Sequence, residues 1–484
     1  MSEKNTPQTI QAGMAHHQAG RLAQAAAIYA AIPQNSPGFA HALYLQGLIA
    51  QDQSDHTRAI TFFEQAAQLS PKEPVIPFHK AVSLNLAGLQ EAAVEHYQQA
   101  LALNPNYVEA HCNLGNLLKR MGHKAQAIAC YERALRLAPQ AALIHYNLGV
   151  CHQDYFQPER AIEYFRNAVR LNPEYAAAYN NLGVSLSEAG LAGEAISCYK
   201  KAQKLDPGFA ESFYNLHALV LNTENLSDAL SCLEKAHKID PQNHSYRFFL
   251  GLVHDYAGHT EIANALFSES EGDALFKADL DAWNYLKAAK NFSSTQSLPL
   301  MLGLAAKTFK FAMDHTNPDG LVLEFGVFNG KSIRQIAPLA KGPVHGFDSF
   351  EGIPENWNHE ISGSYSTQGI LPEVPANVTL HPGWFEDTIP EFVQHETAPV
   401  RFMNIDCDLY SSTKTVLDGL ARQVVPGTVM VFDEYIGNTS WRDDEHKAFI
   451  EAAQTYGWHY EILSFSFVTK QVAIRIMQID QGAD

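Results

Sequence analysis

The chain has 484 residues, about three times the ~150 of an ordinary domain, so more than one folding unit is expected. Apolar residues make up 46% and charged residues 18%, which excludes a chain disordered along most of its length. The net charge is −18, with 20 Lys and Arg against 26 Asp and Glu over residues 1–277 and 14 against 26 over residues 278–484. Neither part has the positive footprint that nucleic acid or an anionic membrane surface demands, so neither is an expected partner.

The first twenty residues hold no apolar core of the kind a secretory signal needs, and no run approaches the ~18 apolar residues of a membrane span. The expected location is cytoplasmic. Six cysteines, Cys112, Cys130, Cys151, Cys198, Cys232 and Cys407, contain no CxxC pair and read as small packing residues.

Prolines stand at Pro37, Pro71, Pro105, Pro139, Pro173, Pro207 and Pro241, each 34 residues after the last. With proline at about 5% of residues, chance would place seven in one register roughly once in a billion. Eight units starting at residue 6 and ending at residue 277 follow. Their position 20 is Ala25, Ala59, Ala93, Ala127, Ala161, Ala195, Ala229 and Ala263, position 8 is glycine in six units, and position 24 is a large ring in seven. Small residues where two helices approach, rings between them, and a proline that ends the second helix specify an antiparallel helix pair per unit. The pattern resembles the tetratricopeptide repeat, which implies an α-helical solenoid over residues 1–277 whose concave groove is lined by the first helix of each repeat. On that face the resemblance places Asn113, Asn147, Asn181 and Asn215. A row of side-chain amides can bind the backbone of an extended peptide, similar to the asparagine ladder of protein O-GlcNAc transferases, so a protein or peptide partner is expected there. The same asparagines would also serve to bridge neighbouring repeats.

The repeat phase is lost at residues 278–297, read as a capping helix and a polar linker. LPLMLGLAAKTFKFAMDH then has helical patterning and ends at Asn317-Pro318-Asp319-Gly320. From residue 321 short apolar runs alternate with helical stretches: LVLEF, PVHGF, NVTLH, PVRFMNI, TVMVF, YEILSF and QVAIRIM. Buried runs separated by helices predict a doubly wound, Rossmann-like α/β domain over 298–484, with the last two runs as an antiparallel edge pair.

In such sheets ligands bind at the carboxyl ends of the strands. The first run leads into Glu324-Phe325-Gly326-Val327-Phe328-Asn329-Gly330-Lys331-Ser332. Gly326 and Gly330 let backbone approach a ligand, and a helix N-terminus follows. The GxxxG spacing with an acid two residues earlier favours S-adenosyl-L-methionine over NAD: Glu324 faces the ammonium group, and Ser332 the carboxylate. Asp348, at the end of the second run, suits ribose hydroxyls, with helix capping as its alternative. DSFEGIP, HPGWFEDTIP, IDCDLYSST and FDEY, after the second to fifth runs, together resemble the macrocin O-methyltransferase family, a class I group that methylates sugar hydroxyls. The resemblance implies an S-adenosylmethionine-dependent O-methyltransferase acting on a sugar or glycan hydroxyl. It adds Ser349, Trp384 and Phe385 to the cofactor site, with packing as the rings' alternative.

Asp406, Asp433 and Glu434 lie at neighbouring strand ends, where three oxygen donors suit Mg²⁺, and the resembled family binds a divalent metal at the matching positions. Glu434 departs from the family's paired Asp-Asp. Asp406 or Asp408 is the expected proton acceptor, with His381 as a secondary base. Trp441 and His446 are placed where acceptor specificity could reside, and Asp443, Asp444 and Glu445 as a solvated helix start. The alternative to an enzyme is a non-catalytic adaptor that keeps the cofactor fold.

Overall fold

A computed structural model describes residues 6–268, 273–288, 298–358 and 360–480. They form two compact units, one running to residue 155 and including 163–173, the other comprising 156–162 and residues from 174 onward.

The first unit consists of helix pairs such as Phe39–Asp52 with His56–Leu69, Val75–Leu86 with Gln90–Leu103, and Val108–Arg120 with Lys124–Leu137. The position-20 alanines Ala25, Ala59, Ala93 and Ala127 are fully buried, as are the rings of Tyr29, Phe63 and Tyr131. A Cβ on Gly115 would come 2.9 Å from the Tyr131 ring, and one on Gly149 2.6 Å from that of Phe165. Each of these glycines is therefore the socket for a ring sixteen residues later, held by close packing. From the second repeat on, the second helices of this unit stop just ahead of their prolines, as Gln90–Leu103 does before Pro105, with the Asn104 N–H closing the last turn on the Ala100 carbonyl at 2.9 Å.

The second unit continues the pairs with Ala176–Glu188 and Ala192–Leu205, Ala210–Val220 and Ser227–Ile239, and His244–Tyr256 and Thr260–Ser268. The expected capping helix is Ala274–Ala288; residues 289–297 of the expected linker lie outside the described residues. An eight-stranded sheet follows: β1 Leu300–Met301, β2 Leu321–Phe325, β3 Val344–Asp348, β4 Val378–Pro382, β5 Val400–Ile405, β6 Val424–Phe432, β7 Trp458–Phe465 and β8 Val472–Ile479. Its order is β1-β7-β8-β6-β5-β2-β3-β4, with β2 to β6 parallel and β8 antiparallel to both neighbours.

The expected edge pair is thus displaced inward. β8 lies between β6 and β7, and β1 covers the outer side of β7, where the Leu302 N–H meets the Phe465 carbonyl at 2.8 Å. Two residues are too few to show a strand period, which is why β1 was absorbed into a helical stretch that begins only at Ala305.

Repeats and sheet share one hydrophobic core in this unit. Phe248 packs on Phe467 with ring centroids 5.2 Å apart, and Trp283 on Phe465 at 5.6 Å. A side chain on Gly303 would strike the Ala218 backbone, and Lys307 donates to the carbonyls of Leu219 and Leu221 at 3.1 and 3.4 Å. Among the described residues no helix is long and apolar enough to cross a membrane.

Candidate active site

Three ladder bonds bring the strand tips together: Gly326 N–H to Phe347 O at 3.0 Å, Asp406 N–H to Phe325 O at 2.8 Å, and Asp433 N–H to Ile405 O at 3.0 Å. At Gly326 φ is +90°, and any Cβ would collide with the Asp406 carbonyl, so only glycine fits. Gly330, at φ +81°, turns the chain into the helix Lys331–Ala340.

Glu324 points into this junction fully buried, and burial pushes its carboxyl up to about 8. One oxygen accepts from the Ser332 hydroxyl and, at 3.5 Å, from Asn404 Nδ2; the other, Oε2, has no partner. A buried carboxylate oxygen without a donor fits a cationic ligand group. Ser332 is thus engaged with Glu324 instead of standing free for a ligand carboxylate. Asp348 accepts backbone N–H groups from both flanking loops, Phe328 to Oδ2 at 2.7 Å and Phe350 to Oδ1 at 2.6 Å. Burial raises its pKa, and these N–H groups oppose the rise.

Gly326, Ser332 and Asp348 open onto a cavity of about 630 Å³, within the range of small-molecule sites, whereas Glu324 and Gly330 are not part of its lining. Gly326, Ser332, Asp348, Ser349, Trp384 and Phe385 line it, as do Asp406, Asp408, Asp433 and Glu434. Phe385 also packs edge-on against Phe325 at 5.6 Å. The solenoid contributes Phe156, Ser187, Glu188, Asn215 and His217 to the same lining. Of the four groove asparagines only Asn215 is there; its Nδ2 donates to Asn180 Oδ1 at 3.2 Å, and Asn180 Nδ2 donates to Asn181 Oδ1 at 3.3 Å. Asn113 and Asn147 are half-buried in the first unit.

Asp408 takes a left-handed backbone, φ +61°, and is pushed up to about 7 by burial and then by Glu434. Asp406 is held well above the usual carboxylate range by burial and by Asp433 and Asp408. A carboxyl poised near neutrality in a cavity has the pKa a general base needs.

The expected metal donors are otherwise engaged. Lys470 Nζ lies 3.0 Å from both Glu434 oxygens, and Gln471 Nε2 donates to Asp433 Oδ1 at 2.5 Å. Among the described residues no three His, Cys, Asp or Glu side chains form a group able to hold a metal ion. The set Asp406, Asp433 and Glu434 therefore does not fit a divalent cation, because the hairpin between β7 and β8 supplies an ammonium and an amide to two of its members.

Three expectations along the chain are corrected. Asp444 and Glu445 are buried, and only Asp443 is solvated. Glu445 accepts the Glu434 N–H at 3.1 Å and the Cys407 N–H at 3.4 Å, tying the tips of β5 and β6 together. His446 and Trp441 lie outside the cavity lining, packed together at 4.8 Å, with His446 pushed down to about 4 by burial. His381 is also absent from the lining; it stacks on Phe347 at 4.5 Å and bonds His345 at 3.1 Å. Tyr365, a cavity residue with φ +62°, was not found from sequence because it lies in an irregular loop without a motif.

Fold and cavity define the class: a tetratricopeptide solenoid followed by a methyltransferase domain of the class I architecture. Residues 323–435 match the family described as a methyltransferase domain, and 10–74, 86–122, 108–140 and 157–208 match tetratricopeptide repeat families. The chain is 33% identical over 143 residues, 24% of its length and 53% of the relative's, to the 8-demethyl-8-(2,3-dimethoxy-alpha-L-rhamnosyl)-tetracenomycin-C 4'-O-methyltransferase of Streptomyces olivaceus. It is 28% identical over 167 residues, 28% of its length and 62% of the relative's, to the demethyldecarbamoylnovobiocin O-methyltransferase of Streptomyces niveus. The chain thus spans about half to three-fifths of the curated relatives it matches. Among solved structures it is similar to YrrB, a TPR protein with an unusual peptide-binding site, at 28% identity, 38% of this chain, 95% of that one and a TM-score of 0.34.

Proposed function

We propose that the protein is an S-adenosylmethionine-dependent O-methyltransferase acting on a sugar or glycan hydroxyl. The observation that carries this reading is the unpartnered, buried Oε2 of Glu324, whose carboxyl is bonded to Ser332, a residue that lines the same cavity as Gly326 and Asp408. When bound, S-adenosylmethionine supplies an electrophilic methyl group on a cationic sulfur. Glu324 binds its ammonium group, Asp348 and Ser349 its ribose, and Trp384 and Phe385 flank its adenine. Asp408 takes the proton of the acceptor hydroxyl, and the enclosing walls hold donor and acceptor aligned, which is worth up to about 7–11 kcal/mol. No divalent cation has a part in this reading; the positive charge beside the acids is Lys470. The sugar acceptor draws support from the name of one relative, a 4'-O-methyltransferase of a rhamnosyl compound, while the name of the other supports O-methyl transfer alone.

Asn113, Asn147, Asn181 and Asn215 bind the backbone of a protein or peptide partner, the first two in one unit and the last two in the other. In sequence, residues 278–297 divide the repeat array from the methyltransferase domain. Six free cysteines suit the reducing cytoplasm.

The test is calorimetry with S-adenosylhomocysteine, followed by a screen of sugar acceptors with products identified by mass. Heat without any methylated product leaves the non-catalytic adaptor.

A further inference from the structure

The loop that follows Gly326 is held from the solenoid side within the second compact unit. Asn329 Nδ2 donates to the Phe156 carbonyl at 2.8 Å, and the Phe328 and Phe156 rings meet edge to face at 5.9 Å. Lys331 Nζ pairs with Glu188 Oε1 at 2.9 Å, and Gln335 Nε2 donates to the Glu188 carbonyl at 2.9 Å. The same Phe328 gives its N–H to Asp348.

Two features show that these contacts do not serve the solenoid itself. Glu188 ends the helix Ala176–Glu188, and Lys331 begins the helix Lys331–Ala340. An acid at a helix C-terminus and a base at an N-terminus both oppose the helix dipole. Each charge is unfavourable for its own helix and is compensated by the other. Phe156 and Phe328 also both occupy left-handed backbone, at φ +54° and +48°, a conformation costly for such side chains that the surroundings must enforce.

We propose that Glu188 and Phe156, residues of the repeat array, are positioning residues of the cofactor site: they hold residues 328–331 in the shape that binds S-adenosylmethionine. The solenoid is then part of the cofactor site. A ligand that engages the helix Ala176–Glu188 alters cofactor affinity, and by linkage the cofactor alters that ligand's affinity equally. This rests on the catalytic reading above.

The test is calorimetric titration of S-adenosylhomocysteine into the full chain and its variants. Glu188→Gln and Lys331→Met are each expected to weaken binding about fivefold, the double variant no further, and Phe156→Ala to a similar degree. The charge-reversed pair Glu188→Lys with Lys331→Glu is expected to return affinity to within about twofold of wild type, which a merely misfolded protein would not do. Unchanged affinity in all single variants, or strictly additive losses without rescue, overturns the proposal. No heat from the wild-type protein would instead remove the cofactor reading on which it rests.

Discussion

Lys470 embraces Glu434, its ammonium 3.0 Å from each carboxylate oxygen, with its stem passing over Gly437, where a Cβ would come 2.7 Å from Lys470 Cγ. The room left by Gly437 and the backbone of Lys470 at φ +57° show a side chain built into place. The ammonium thus already pairs with one of the three expected metal donors at the tip of β6.

Metal independence follows. Activity should survive exhaustive chelation, and titration of Mg²⁺ into the protein should give no saturable heat. Lys470→Met leaves a mostly buried carboxylate unpaired and should cost about 2 kcal/mol in urea denaturation. A chelator-sensitive enzyme that regains its rate with Mg²⁺ would show the donor assignment to be wrong.

Glu324→Gln preserves shape and removes the charge that Oε2 offers. Binding of S-adenosylhomocysteine should weaken by about 2–3 kcal/mol, on the scale of a hydrogen bond to a charged group. In the free protein this carboxyl sits at about 8, so at lower pH it must lose a proton before it can pair with an ammonium. Affinity should rise as pH climbs towards 8, with proton release visible as a dependence of the binding heat on buffer.

Asp408 is raised from 3.8 to about 7, so its base form accumulates only as pH passes neutrality. The turnover rate should rise through pH 7, and Asp408→Asn should lower kcat by about a hundred- to ten-thousand-fold and abolish that limb of the profile.

Stability should move the opposite way. Asp408, Glu324 and Glu434, raised to about 7, about 8 and about 7, bind protons more tightly folded than unfolded. Their contribution is fully present below the unfolded pKa values near 4 and is lost as pH rises through 7 to 8. Urea midpoints of the ligand-free protein should therefore fall from about pH 4 to about pH 8 and level off above that.

In the repeats, Gly183→Ala would put a methyl 2.7 Å from the Tyr199 ring. The expected cost is about 1–3 kcal/mol, as for other overpacked cores. Gly193→Ala, with nothing within 4 Å of the added Cβ, is the control and should be neutral or slightly stabilising.

The glycine turn at Gly326, the acids at Glu324, Asp348, Asp406 and Asp408, and the helix pairs were legible because each depends on chain-local features: a period, a strand end or a turn. Gln471 and Tyr365 were not, because they reach the cavity from loops whose sequence has no pattern, and neither was Lys470, which meets Glu434 from the same hairpin as Gln471. Glu445 was misread for a related reason: an acid run before a helix looks solvated until two backbone N–H groups from other strands are found to need it. His381, on a strand end like the true cavity acids, shows that register alone does not say which neighbours a side chain meets.

The sequence by itself determined the repeat and its eight units, the order of strands and helices from β2 onward, and the strand-end positions where a ligand would be met, since hydrophobic period and backbone stereochemistry act over a few residues. Only the tertiary structure decided which charges pair across the sheet tips and that Glu188 and Phe156 of the array face the glycine turn. Those contacts join residues 36 positions apart at Lys470 and Glu434 and 143 apart at Lys331 and Glu188, and packing in three dimensions alone brings them within hydrogen-bond reach.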